Sequence, residues 1–235
     1  IDAANAFIAA WGEHDVPMGI TSLSSSDRTH ATHAMDFVHM AAVLQGNYTR
    51  AAEVANEIAA RSKANLGLAG GLQRRFVKPM LTARRFADWS GILKLPEPSD
   101  TYPLVKGIWH FVRGSALANT GQLNDALAQL TALNDIASDE DVQKLRAWVN
   151  SVSMLLNLSA NILDAEIATL NGDIESAIHH LEMAIRIEDG LNYMEPPDWG
   201  HPVRHELGAL LLANDRSVEA ETVFWEDLRR NPENG

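Results

Sequence analysis

Five of the nine histidines in this chain fall into two spaced sets, and imidazole is the side chain here best suited to metal or proton chemistry. His30 and His33 lie one helical turn apart, with His39 two turns on and Asp27 and Asp36 between and beside them. His201 and His205 are four residues apart, with Glu195, Asp198 and Glu206 close in sequence. Imidazoles one turn apart converge on one divalent ion, and a carboxylate completes such a site. The competing reading is packing or groove lining, since His201 precedes Pro202 at a helix entrance. His205-Glu206 lacks the second histidine of the zinc-protease motif.

Other chemistry finds no support. The chain has no cysteine, which excludes disulfides, thiol nucleophiles and thiolate metal sites. There is no serine-nucleophile elbow or phosphate-binding loop, and Gly67, Gly70 and Gly71 do not form a dinucleotide fingerprint. The acid pair Glu226 and Asp227 reads as a solvated helix face. No cofactor is implied, and the expectation is a protein that is not an enzyme.

Two constellations suit binding instead. Arg74, Arg75, Lys78, Arg84 and Arg85 crowd one short stretch of an otherwise acidic chain, where guanidinium forks can grip carboxylates of a partner. The same cluster can equally neutralise neighbouring acidic helices. Tyr193, Trp199, His201 and Arg204 surround Pro196-Pro197, an extended connector in which Trp199 either plugs a gap between helices or presents its ring to a ligand.

The elements that carry these residues follow a recurring rhythm: a small residue, a tight turn seven positions on, an alanine five later, then an apolar residue. One copy runs Gly114, Gly121, Ala126, Leu130; another Ala165, Gly172, Ala177, Leu181, Ala184; a third Gly208, Asp215, Ala220, Phe224, then Pro232. Two antiparallel helices approach closely only where side chains are small, and glycine or aspartate supports the reversal. On these residues the chain resembles the tetratricopeptide repeat family of stacked helix-turn-helix modules. Further copies fall at Gly46-Asn47-Tyr48 with Ala51 and Ala55, where His39 replaces the small residue, and at Arg84-Arg85-Phe86, which lacks both turn glycine and alanine. The block Tyr193 to Arg204 resembles one carried by bacterial tetratricopeptide-repeat proteins without assigned activity. The run His33-Ala34-Met35-Asp36-Phe37 is similar to their early repeats.

The resemblance implies an all-α fold, a right-handed α-solenoid of about five antiparallel helix pairs. Residues 1–95 are expected to form N-terminal, partly degenerate repeats, continuous with C-terminal repeats over 96–235, with Pro96, Pro98 and Pro103 stiffening the connection. Periodicity predicts helices over 2–11, 29–45, 49–63, 72–83, 86–94, 104–120, 124–137, 139–170, 174–188, 202–213 and 217–230, a loop over 16–28, and no sheet. Trp109, Trp148 and Trp225 fall on helical stripes and are expected in the core.

Composition narrows the partners. With 46% hydrophobic residues among 235, the chain can bury a core. Nineteen bases against 31 acids give a net charge of −12, which repels nucleic-acid phosphates and anionic membranes. No apolar run reaches the roughly 20 residues of a membrane-spanning helix. Compartment stays open between cytoplasm and periplasm. The start at Ile1 and the end after Pro232 suggest a piece of a longer protein. The expected function is a non-catalytic scaffold that holds a peptide, a protein or a partner subunit in a concave groove, with self-assembly as one form of partnership. The rivals are a small-ligand or metal-binding protein using the histidines, and a structural fragment of a larger assembly.

Overall fold

The computed structural model describes residues 25–63, 66–67 and 70–232, with the side chains of 25–31 and Gly70 outside the description. The helix expected over 2–11 lies outside these residues. In chain order the helices are α1 (Ser25–Leu44), α2 (Tyr48–Lys63), α3 (Gly70–Phe76), α4 (Lys78–Arg85), α5 (Trp89–Leu93), α6 (Pro103–Asn119), α7 (Leu123–Ser138) and α8 (Glu140–Lys144). A two-residue pair of strands, β1 (Arg146–Ala147) and β2 (Asn150–Ser151), precedes α9 (Val152–Leu170), α10 (Ile174–Asp189), α11 (Val203–Ala213) and α12 (Ser217–Arg230). Among the described residues the regular structure is all-helical apart from that pair.

Five helices end in the same way, at the places where the rhythm requires a turn. Gly46, Ala87, Gly121, Gly172 and Asp215 all take positive φ, between 55° and 78°. At each, the turn residue's N–H reaches back three residues and the next N–H five, as in Gly121 to Ala118 and Gln122 to Leu117 at 3.0 and 2.8 Å. This Schellman pattern satisfies the carbonyls a helix end leaves open. The turn expected near 84 falls at Ala87, with bonds to Arg84 and Ala83, so the repeat that lacks a glycine keeps the geometry and accepts left-handed strain on an alanine.

Five positions after each turn the side chain is fully buried: Ala51, Ile92, Ala126, Ala177 and Ala220 all have 0% exposure. The small residues before the turns are equally constrained. A Cβ on Gly114 would sit 2.5 Å from Leu163, and one on Gly208 would sit 2.3 Å from Phe224. Ala177→Leu is therefore expected to overpack the α9–α10 contact and cost about 1 to 3 kcal/mol, read as a shift of the urea midpoint. An unmoved midpoint would remove Ala177 from that contact.

Successive pairs pack on one another: α2 meets α3 and α4, α4 and α5 meet α6, α7 meets α9, and α10 meets α11. The main core runs from Val77 to Ala220 through the proline-rich connection, while α1 and α2 share a small separate cluster of Met35, Val38, Val54 and Ile58.

Several expectations need correction. The single helix expected over 72–83 breaks at Val77, after which Pro79 starts α4 in a position where its missing N–H is harmless. The helix expected over 139–170 is interrupted: Asp139 caps α8 through Asp141 and Val142, but α8 lasts five residues before the strand pair. Fully buried Asn150 explains the break, because it binds Asn192 and Asp198 and draws the chain out of helical register. Ser151 then caps α9. The loop expected through 28 ends earlier, as α1 begins at Ser25. Trp109 is buried, whereas Trp148 and Trp225 are 64% and 60% exposed and do not belong to the core.

Candidate functional site

Helix α4 repeats its chemistry every three to four residues, so Lys78, Leu81, Thr82 and Arg85 share one face. That face, with His39, Met40 and Val43 from α1 and the connector from Pro196 to His201, encloses a pocket of about 100 Å³. Arg74 and Arg84 complete its wall. Two groups of residues more than a hundred positions apart in sequence, the cationic cluster and the proline-rich block, thus meet in one place.

Most of the cations are already held. Arg74 donates to Asp198 at 2.6 Å, whose other oxygen accepts from Asn150 at 2.7 Å. Arg75 and Lys78 lie 3.1 and 3.3 Å from Asp36, which is fully buried. Arg84 donates to Glu166 at 3.0 Å, to both oxygens of Glu206 at 3.1 and 3.0 Å, and to Ser115, while its guanidinium sits 4.7 Å above the Phe111 ring. Arg85 differs from the other four. It is exposed at the pocket rim and has no ion pair within 4.0 Å among the described residues. Glu206 attracts its charge and Arg84 repels it, but neither is paired with it.

The pocket's histidines are neutral at ordinary pH. Burial, reinforced by the Lys78 charge and opposed by Asp36, lowers His39 to about 4. Burial, with Arg85, does the same to His201. Thr82 spends its hydroxyl proton on the Lys78 carbonyl at 2.7 Å, so its 2.8 Å bond to His39 requires Nε2–H of the imidazole as donor. Burial also lowers Lys78, against the pull of Asp36. At the buried carboxylates burial pushes upward; it prevails at Glu166, whereas Arg84 prevails at Glu206 and holds it low.

Two of the lining residues each bury an N–H that has no acceptor, and neither atom is accessible from the pocket. Trp199 is 8% exposed, packs 5.9 Å from Phe111, and has no acceptor for its Nε1–H. The Nε–H of Arg74 is equally without one. A buried donor left unmatched costs about 1 to 3 kcal/mol.

A second cleft of about 710 Å³ lies across the connector and shares Met40, Pro197, Asp198, Trp199 and Gly200 with the pocket. Tyr193 and Arg204 line it. Arg204 is buried in a bidentate pair with Asp189 at 2.8 and 2.7 Å. Tyr193 is 79% exposed, its hydroxyl directed to Glu195, and the Glu195–Pro196 bond is cis. Glu188, also in this cleft, accepts from the N–H of Val203 at the start of α11; burial raises it to about 7.

Among the described residues no three histidine or carboxylate groups are placed to hold an ion. His33 packs edge-on against Phe37, His39 binds Thr82, and His205 lies 2.9 Å from Asp227. His201 and His205 stack edge to face at 5.2 Å. The side chain of His30 is outside the described residues. Asp227, read from sequence as a solvated acid, is 1% exposed and bound by His205 and Asn231.

Sequence reasoning named Asp36, Asp198 and Glu206 only as carboxylates that could complete a metal site beside the histidines, and it missed Glu166; the structure makes all four counterions of the cationic cluster. One signal was available for Glu166, an acid flanked by Ala165, Ile167 and Ala168 in the largely apolar α9. No family model, curated protein or solved structure matches the chain.

Proposed function

We propose that the chain is a tetratricopeptide-like scaffold, a right-handed stack of about five helix pairs, that captures an acidic segment of a peptide or protein partner and performs no bond chemistry. Serial packing of the pairs and the five matching turns support the stack. Arg84 supports a concave inner face, since it reaches partners 82 and 122 residues away in sequence.

The observation that carries the reading is Arg85, an exposed cation without an ion pair among the described residues, at the mouth of a pocket also lined by Arg74, Lys78 and Arg84. A carboxylate supplies the charge partner that Arg85 lacks and accepts from its guanidinium. The chain's net charge of −12 opposes polyanions everywhere else, so capture there is a local property.

Fluorescently labelled hexaglutamate tests this by anisotropy at low salt. Wild type is expected to bind it, and Arg85→Glu to weaken binding by roughly tenfold or more without changing the circular dichroism spectrum. Equal binding of hexaglutamine, or undiminished binding by the variant, would remove Arg85 from recognition and reject the proposal.

A further inference from the structure

We infer that the partner segment is an extended peptide that seats an acidic side chain in the smaller pocket and, a few residues away, a large apolar side chain in the neighbouring cleft. This rests on the acidic-partner reading and goes beyond it by assigning the second subsite.

Size argues for an articulated occupant. A pocket of about 100 Å³ admits one side-chain group, whereas the cleft of about 710 Å³ lies within the range of roughly 300 to 1,000 Å³ typical of ligand sites. The two adjoin at a ridge formed by Pro197–Gly200, and these residues together with Met40 line both. A chain crossing that ridge occupies both sides at once; a small rigid molecule does not.

The character of the cleft argues for an apolar side chain. Its charged groups are largely satisfied internally: Arg204 and Arg230 both pair with Asp189, Asp198 is held by Arg74, and Glu188 caps α11. Leu44 and Tyr193 remain at its edge, 59% and 79% exposed, where burial under a partner removes apolar surface from water. Aromatic and methionine side chains are the types enriched at protein-facing surfaces, and Met40 and Met194 line the same walls.

Three labelled decapeptide pools separate the possibilities: one with Glu and Leu at several short separations in a Gly-Ser background, one with Ser replacing Leu, and one with Gln replacing Glu. The first is expected to bind roughly tenfold tighter than the second, the worth of burying one leucine. The surface variant Leu44→Ser/Tyr193→Ser should abolish that difference while leaving the Glu-Ser pool's affinity unchanged. Equal affinity of the Glu-Leu and Glu-Ser pools, or a leucine advantage that survives in the double variant, would overturn the second subsite and leave the acidic pocket standing. If the Gln-Leu pool binds as well as the Glu-Leu pool, or none binds, the acidic reading falls and this inference falls with it.

Discussion

Arg84→Met is expected to destabilise the protein by about 3 to 5 kcal/mol, because it leaves two carboxylates facing each other with their shared cation gone. The side chains of Arg84, Glu166 and Glu206 are 11%, 19% and 20% exposed, too sheltered for solvent to replace the lost partner. Burial already pushes Glu166 upward with the guanidinium present, so removal of the cation drives it further toward the protonated acid. The cost comes from stranded charge rather than from lost attraction. The triple variant Arg84→Met/Glu166→Gln/Glu206→Gln should therefore recover most of the loss, since no ion remains buried. Urea unfolding of wild type, single and triple variants decides it. A loss under about 1 kcal/mol in the single variant would mean the triad behaves as a screened surface pair.

The second large effect is acid sensitivity. His39 and His201 are lowered from 6.5 to about 4, so between those values the unfolded chain binds more protons than the folded one. Stability from these two groups is complete above 6.5 and is lost as pH falls toward 4, by up to about 3 kcal/mol each. Glu188, raised from 4.5 to about 7, acts with the opposite sign: its burial lowers stability as pH rises across that interval. A His39→Gln/His201→Gln variant keeps Glu188, so comparison with wild type cancels the carboxylate and isolates the histidines. The variant should gain on wild type as pH drops from 6.5 to 4, read from urea midpoints at several pH values. Parallel curves would mean that the two imidazoles titrate as free histidines do.

These burials also redefine what the cationic cluster is for. Five bases in twelve residues read from sequence either as a gripping surface or as neutralisation of acidic neighbours, and the fold divides them between the two roles. Arg74, Arg75, Lys78 and Arg84 join α3 and α4 to α1, α9, α11 and the connector through Asp36, Glu166, Glu206 and Asp198. Arg85 alone of the five stands at the rim without an ion pair among the described residues. Helical periodicity explains the division, since Arg84 and Arg85 are adjacent in sequence and point about 100° apart around α4.

Although the turn expected near 84 moved to Ala87, local sequence marks the all-helical class, the turns at Gly46, Gly121, Gly172 and Asp215, and the small residues beside the last three. Each is a local matter: apolar residues recurring every three to four positions, a residue able to hold positive φ, and the absence of a Cβ where helices cross. Gly114 and Ala177 could be assigned to close contacts before any coordinates because the rhythm around Gly121 and Gly172 leaves them no other role. The same local logic failed where a distant partner outweighed it. Asn150 breaks an otherwise plausible helix to bind Asn192 and Asp198, and Trp148 sits exposed at φ 75° in the turn between the two short strands. The pocket was decided by tertiary structure alone. Arg74 and Asp198, 124 residues apart, meet at 2.6 Å because the stacked pairs bring α3 against the connector. Sequence spacing encodes neighbours along one helix, whereas charge pairing across a fold depends on which helices are brought together, and only packing sets that.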